Sequence, residues 1–242
     1  MNDHDYPFRN RLLRSLSGPT LVAVSRHLER EPLDYRRTVL EPGKPIDRVC
    51  FPERGLISVV AVSRGGGRIE AGVVGPEGMV GAAVLLADDR TPNEAFVQFR
   101  GEACFMAVSD LHRLVSQHPD FHRVMLRFVH SFLIQLAHNA LADGRARLDQ
   151  RLARWLLMAL DRSETPQLPV THETLAAMLG VRRAGVTVAL NQLERLGSIR
   201  MSRGVVTVLD RPALEAVAGA WYGAAETEYR RLFGEWDRAE AA

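Results

Sequence analysis

The chain has 242 residues, 46% of them hydrophobic and 25% charged, with a formal net charge of +2, so it has room for two domains that each bury a core. No apolar run approaches the roughly 20 residues a bilayer span needs, and the polar start MNDHDYP lacks the pattern of a secretion signal, so a cytoplasmic protein with no membrane partner is expected. Two cysteines, Cys50 and Cys104, are too few for an iron–sulfur cluster and lack the close spacing of a structural zinc site.

Residues 7–30 read as helical. From about Leu33 to Val108 the chain breaks into short apolar or alternating runs: RVCFPERG, LISVVAV, RIEAGVV, EAFVQFRG and ACFMAV. Pro42-Gly43, Gly55, Gly65-Gly66-Gly67, Pro76-Glu77-Gly78 and Pro92 separate them, which predicts a β jelly roll within an α+β chain. A metal-dependent barrel enzyme needs histidines converging inside the barrel, and this stretch contains none. No nucleophile motif is present either, so an enzyme is not expected. Cys50 and Cys104 lie in strand-like runs and read as buried free thiols, with redox sensing as the alternative.

A short helix after Ser109 leads to His118-Pro119, and the next helix is expected from about Pro119 to Ala142. Leu126, Val129, Leu133, Leu136 and Ala140 alternate in steps of three and four, the pattern of a coiled-coil seam. Phe121, Met125, Phe128 and Phe132 form a second stripe. One stripe is expected to pack on the barrel and the other to meet the same helix of a second copy, which makes a homodimer. His118 and His122 have the i,i+4 spacing of a metal pair, but no carboxylate or cysteine stands beside them at ligand spacing. Neither metal nor haem is therefore expected, and the cofactor is left unknown. Asp143-Gly144 reads as a hinge.

The most specific run is VTHETLAAMLGVRRAGVTVALNQLERLGSIRMSRGVVTVLD, starting at Val170. Thr171 is a good N-cap for a first helix carrying Leu175, Met178 and Leu179 on its apolar face. Gly180 suits the sharp turn that follows. A second helix begins near Arg182, with Val186, Leu190, Leu193 and Leu196 inward and Arg183, Thr187, Val188 and Asn191 outward. Gly197 ends it, and Ile199–Leu209 reads as a hairpin turning at Arg203 and Gly204. This is the pattern of a winged helix-turn-helix, which delivers the start of its second helix into a DNA major groove. Arg182, Arg183, Thr187, Val188 and Asn191 are candidate groove or flanking contacts, and Thr171 and Arg203 candidate phosphate clamps. Residues 145–211 hold 11 arginines against 6 acids, a positive segment coinciding with this motif. Beyond it, Leu214, Val217, Trp221, Tyr222, Tyr229, Leu232, Phe233 and Trp236 predict one or two amphipathic helices that pack on the winged domain or the dimer.

Jelly roll, long dimer helix, hinge and winged helix-turn-helix, in that order over residues 10–211, resemble the Crp/Fnr family of bacterial transcription regulators. The resemblance implies a regulator that binds DNA and contacts RNA polymerase, with residues 1–118 sensing an effector, 119–143 dimerising, 144–211 reading DNA and 212–242 forming an extension. Arg183 falls at the family's commonest base-reading arginine. The glutamate and later arginine of cyclic-AMP-responsive members are here Ala184 and Val188, so a different operator is expected. Gly81, Ala95 and Val97 match the family's effector domain. The ribose-binding glutamate and phosphate-binding Arg-Ser pair are replaced by Ala82, Asn93 and Glu94, and the adenine-contacting hydroxyls by Leu136 and Ala137. Cyclic AMP is therefore disfavoured. Two alternatives remain at this point: a redox or gas sensor of the same family using Cys50, Cys104 or the helix histidines, and a ligand-binding regulatory module with a non-functional helix-turn-helix.

Overall fold

The computed structural model describes residues 8–235; the segments 1–7 and 236–242 lie outside the described residues, and with them Trp236 of the terminal stripe. The chain forms two compact units. One comprises the described residues up to Val59 together with Val74–Phe132; the other comprises Val60–Val73 together with the described residues from Leu133 on. Among the described residues no helix is long and apolar enough to cross a membrane.

The first unit opens with α1 (Arg11–Arg14) and α2 (Gly18–Ser25), where a continuous helical segment is expected from sequence. The break falls before Gly18-Pro19, with the proline in the first turn of α2, and the start of α1 is set by Asn10. Its Oδ1 accepts from the backbone N–H of Leu12 and Leu13, while its Nδ2 donates to the carbonyls of Pro52 and Gly78 at 2.9 and 2.8 Å. One buried amide thus caps α1 and fastens it to the sheet. The strands then begin at Glu29, four residues earlier than the hydrophobic pattern implies: β1 (Glu29–Leu33), β2 (Thr38–Leu40), β3 (Arg48–Val62), β4 (Arg68–Val74) and β5 (Glu94–Ala107). Their order is β1-β5-β3-β4, with β2 also paired to β5.

Gly55 does not separate two strands as its position in the sequence suggests. β3 runs through it for 15 residues, and β5 runs through Gly101 for 14. The two glycines meet where these long strands lie against each other. A Cβ on Gly101 would sit 2.0 Å from the carbonyl oxygen of Arg54, and Gly55 has φ +89° with the Phe99 carbonyl just beneath it. Glycine in mid-strand here marks a bend with close backbone approach, the device by which a long strand serves both layers of a small barrel. α3 (Val108–Gln117) and then α4 (Pro119–Arg145) follow. Phe121, Met125 and Phe128 of α4 are buried in this unit, each contributing about 2–3 kcal/mol by the area it removes from water.

The second unit is built on α5 (Leu148–Asp161), which is buried over most of its circumference. The break between α4 and α5 falls at Ala146–Arg147, because α4 continues through Gly144 instead of ending at the expected hinge. Around α5 stand β6 (Gln167–Leu168), α6 (His172–Leu179), α7 (Arg183–Arg195), β7 (Ile199–Ser202), β8 (Val205–Val208), α8 (Arg211–Ala218) and α9 (Ala224–Phe233). The wing has three strands, ordered β6-β8-β7, not two. α8 and α9 are the predicted amphipathic helices, with Leu214 and Tyr229 buried. Arg211 and Tyr222 both bond Asp161 at the end of α5, at 2.8 and 2.5 Å, so the extension is part of this unit's core.

Gly101→Ala is expected to lower unfolding stability by about 3 kcal/mol, since the Arg54 backbone cannot yield the space. Urea unfolding followed by far-ultraviolet circular dichroism measures it; an unchanged midpoint would contradict the close strand contact.

Candidate nucleic-acid interface

Thr171 caps α6 as its sequence position predicts: its Oγ1 accepts from the N–H of Thr174 at 3.1 Å. Removing such a cap costs about 1 kcal/mol. Gly180 closes the helix at φ +62°, a conformation that side chains with a Cβ rarely adopt, and the chain reverses into α7. Arg151 of α5 donates to the terminal carbonyl of Leu179 and to Asp143 at the end of α4. Two helix ends are thereby tied to one guanidinium.

The inner face of α7 is Val186, Ala189, Leu190 and Leu193, all buried. Leu196, expected on this face, is 57% exposed. It occupies the C-cap, one residue past the last full turn, and the buried Ser198 closes the space beyond by donating to the carbonyl of Leu193. Gly185, which sequence reasoning passed over, sets how close the start of α7 comes to α5: a Cβ there would lie 3.0 Å from Leu148 Cδ2.

The outer face carries the charges. Arg182, Arg183 and Asn191 are exposed, and Val188 is 67% exposed, an apolar side chain left in water on the face opposite the core. Arg182 occupies the N-cap without spending its side chain on the helix. Arg203 stands exposed at the wing tip beside Gly204, which has φ +74°. Thr187 differs from the others. It is half-buried; its hydroxyl donates to the carbonyl of Arg183 at 3.1 Å and lies 2.9 Å from His172 Nδ1. The contact between the His172 ring and the Thr187 hydroxyl is a hydrogen bond between the two helices. His172 therefore joins α6 to α7, a role invisible in a sequence where it is only the residue after a cap.

The proposed effector positions divide between the two units. Gly81, with φ +100°, opens the 3-10 turn Ala82–Leu86, and Asn93 and Glu94 lead into β5, all in the first unit. Leu136 and Ala137 lie on the second half of α4, in the other unit. On the seam of that helix Leu126 is 41% and Leu133 54% exposed, Ala140 is exposed and Leu136 half-buried. Val129 is instead buried within its own unit, and Leu141, 50% exposed, extends the uncovered stripe. Both cysteines are buried. Burial pushes the Cys50 thiol far above its ordinary range, and Cys104, beside the buried Glu53 carboxylate, is pushed up to about 12. Such thiols hold their protons and resist oxidation. After burial, Cys50 is influenced by Arg37, by Cys104 itself, and by Glu31 and Arg48, and Cys104 by Glu53, Arg30 and Glu102. Among the described residues no group of three or more His, Cys, Asp or Glu side chains is arranged to hold a metal ion.

Residues 31–118 match the family model described as a cyclic nucleotide-binding domain, and residues 150–217 the one described as a Crp-like helix-turn-helix domain. The global nitrogen regulator of Synechocystis sp. is 23% identical over 210 residues, covering 80% of this chain and 93% of its own length. The transcriptional regulator SdrP of Thermus thermophilus is 27% identical over 202 residues, covering 78% and 95%. FixK2 from Bradyrhizobium japonicum has the same fold, with a TM-score of 0.68 at 17% identity over 80% of this chain and 98% of that one.

His172→Ala is expected to lower stability by about 1 kcal/mol and Thr187→Val by somewhat more, since it also removes the bond to the Arg183 carbonyl; the double variant should lose little more than Thr187→Val alone, because the bond between the two side chains is shared. Chemical denaturation of the four proteins in the cycle tests this; additive losses would mean the two side chains act independently.

Proposed function

The chain belongs to the Crp/Fnr family of transcription regulators, and from that premise we propose that it is a homodimer that reads a near-palindromic operator through α7. The family is one of regulators, not of enzymes. The observation that carries the reading is the division of α7 into a buried face and an outer face holding Arg182, Arg183, Val188 and Asn191. A helix that serves only packing has no use for paired arginines at its exposed start. Arginine offers two parallel donors to guanine O6 and N7, or to phosphate. Arg183 is assigned to base reading, Arg182, Val188 and Asn191 to groove or flanking contacts, and Thr171 and Arg203 to phosphate. Thr187 acts within the protein, holding α7 against α6.

Residues 1–118 are assigned to sensing, 119–143 to dimerisation, 144–211 to DNA reading and 212–242 to a helical extension of the reading domain. The uncovered Leu126, Leu133 and Leu141 support α4 as the contact between subunits. By resemblance RNA polymerase is a further partner, and the place of work is the cytoplasm, where the DNA is.

The effector is not cyclic AMP bound in the usual manner. Ala82 offers no carboxylate to a ribose, and Glu94 puts a negative charge where a phosphate would lie. Removing a bidentate arginine from a buried charge pair costs about 2–5 kcal/mol. The sealed thiols of Cys50 and Cys104 count against the redox-sensing alternative.

Selection from a library of genomic fragments at defined salt, followed by sequencing, tests the reading. A two-fold symmetric site is expected, with half-sites about one helical turn apart. Retention of fragments without any shared sequence, with and without cell metabolites, would remove it. Arg183→Ala is expected to relax specificity at one base position by about 1–3 kcal/mol, whereas Arg203→Ala weakens all duplexes alike and lowers the salt dependence. Leu133→Glu is expected to convert the dimer to a monomer in light scattering, since it places a charge in each half of the apolar seam.

A further inference from the structure

The polar side chains buried around α5 have partners suited to their charge, with one exception. Trp155 Nε1 donates at 2.6 Å to the Glu70 carboxylate on the strand hairpin Val60–Val73, which belongs to the second unit. Gln135 and Asn139 hold that hairpin through the N–H of Val73 and the carbonyl of Ala71, and a Cβ on Gly180 would come within 3.2 Å of its Ile69. Arg151 bonds Asp143 and the Leu179 carbonyl, and Arg211 bonds Asp161 and Glu215. Arg154 breaks the pattern. It is 4% exposed, its Nη1 donates only to the thioether of Met158, and its Nε has no partner. Among the described residues its guanidinium bonds no carboxylate.

A guanidinium keeps its proton throughout the physiological range, so Arg154 is a buried cation. Burial is the main influence on it and holds it below the usual arginine range; Glu226 and Asp143 attract it, and Arg162 repels it. Both carboxylates are engaged elsewhere. Glu226 Oε2 accepts from the N–H of Gly223 at the start of α9, and Asp143 Oδ1 accepts from Arg151. Arg154, Met158 and Arg162 stand four residues apart along one face of α5, and all three are buried. Arg162 has a structural task there, since its Nη1 donates to the carbonyl of Met158 in the last turn. Arg154 lies in mid-helix, where the carbonyls are already taken by the helix itself. Two like charges buried on one helix face, one with an open donor, form an arrangement that an anion relieves. A thioether is a weak acceptor on a flexible, unbranched side chain, so Met158 can yield to a stronger one.

We propose that Arg154 binds a small oxyanion, phosphate or a carboxylate, within the second unit, its Nε donating to one oxygen while the charge of Arg162 adds to the attraction. The site is distinct from the Gly81–Glu94 region of the first unit and from the outer face of α7, and it does not depend on what α7 reads. Because α5 packs on α6, α7 and α8, the oxyanion stabilises the whole unit built around it.

The test follows thermal unfolding of the full-length protein at constant ionic strength, with sodium chloride replaced stepwise by sodium phosphate or by sodium acetate. At least one of the two is expected to raise the midpoint saturably, by about 3 °C, and which of them does so separates a phosphate from a carboxylate ligand. Arg154→Met, close in length but uncharged, is expected to lose that response. Arg154→Lys keeps the charge without the planar fork and is expected to need about tenfold more anion. The double variant Arg182→Ala, Arg183→Ala removes exposed cations that could attract the same ions, and it is expected to respond as the parent does. A parent midpoint that is the same in all three salts would overturn the proposal. A response that survives in Arg154→Met would do the same, because a general salting effect acts on both proteins alike; so would one that disappears with Arg182 and Arg183. If Arg154→Met does not fold, Arg154→Gln takes its place, and phosphorus-31 NMR titration of the parent and Arg154→Lys reads phosphate binding without unfolding.

Discussion

A helix with 3.6 residues per turn cannot hide every side of itself against one neighbour, and α4 is the element on which this constraint falls hardest. Its 27 residues make a rod about 40 Å long. Phe121, Met125 and Phe128 are spent on the first unit, while Gln135 and Asn139 receive the hairpin in the second. Leu126, Leu133 and Leu141 of the remaining stripe stay exposed among the described residues. Different faces and different lengths of one helix therefore serve the first unit, the second unit and the solvent-exposed stripe.

The polar groups in the core obey a common logic. Asn10, Arg151 and the Trp155–Glu70 pair each join segments far apart in sequence, and each satisfies a group that burial would otherwise orphan. Leucine in these places would bury more apolar surface but would not specify which carbonyl or which indole it meets. Specificity of arrangement matters more here than the last kcal/mol, because the base reading proposed for the arginine at the start of α7 requires one pose.

The helix-turn-helix was legible because its signals are local: a cap at Thr171, a left-handed glycine at Gly180, and a helical period ending near Gly197. What escaped was non-local or aperiodic. α5 is buried on nearly all sides, its polar Asp149 and Arg154 included, which its amphipathic spacing does not reveal, and β6 has only two residues. Gly55 looked like a turn because a lone sequence does not reveal Gly101 lying opposite it. Leu196 kept the helical spacing but stood one step past the helix, where spacing no longer fixes direction. Thr187 was read as outward-facing on α7, yet it is half-buried and its partner His172 lies 15 residues away on another helix. The docking of the hairpin spans 85 residues between Glu70 and Trp155 and has no sequence signature at all.

That docking also bears on how such a protein can be divided. The reading unit is made from two separated stretches of gene, one short and early, the other long and late. A cassette cut at Ala146–Arg147 and moved to another host would leave behind Ile69 and Glu70, along with the Gln135 and Asn139 that hold their strand, exposing the face of Trp155 they cover. Exchange of DNA preference between relatives by recombination thus requires either a host hairpin with the same two side chains or a second, coordinated change near the start of the gene. Under the proposed reading, point substitution on the outer face of α7 carries no such requirement, and is the route by which the operator of a chain built this way can drift while its fold stays intact.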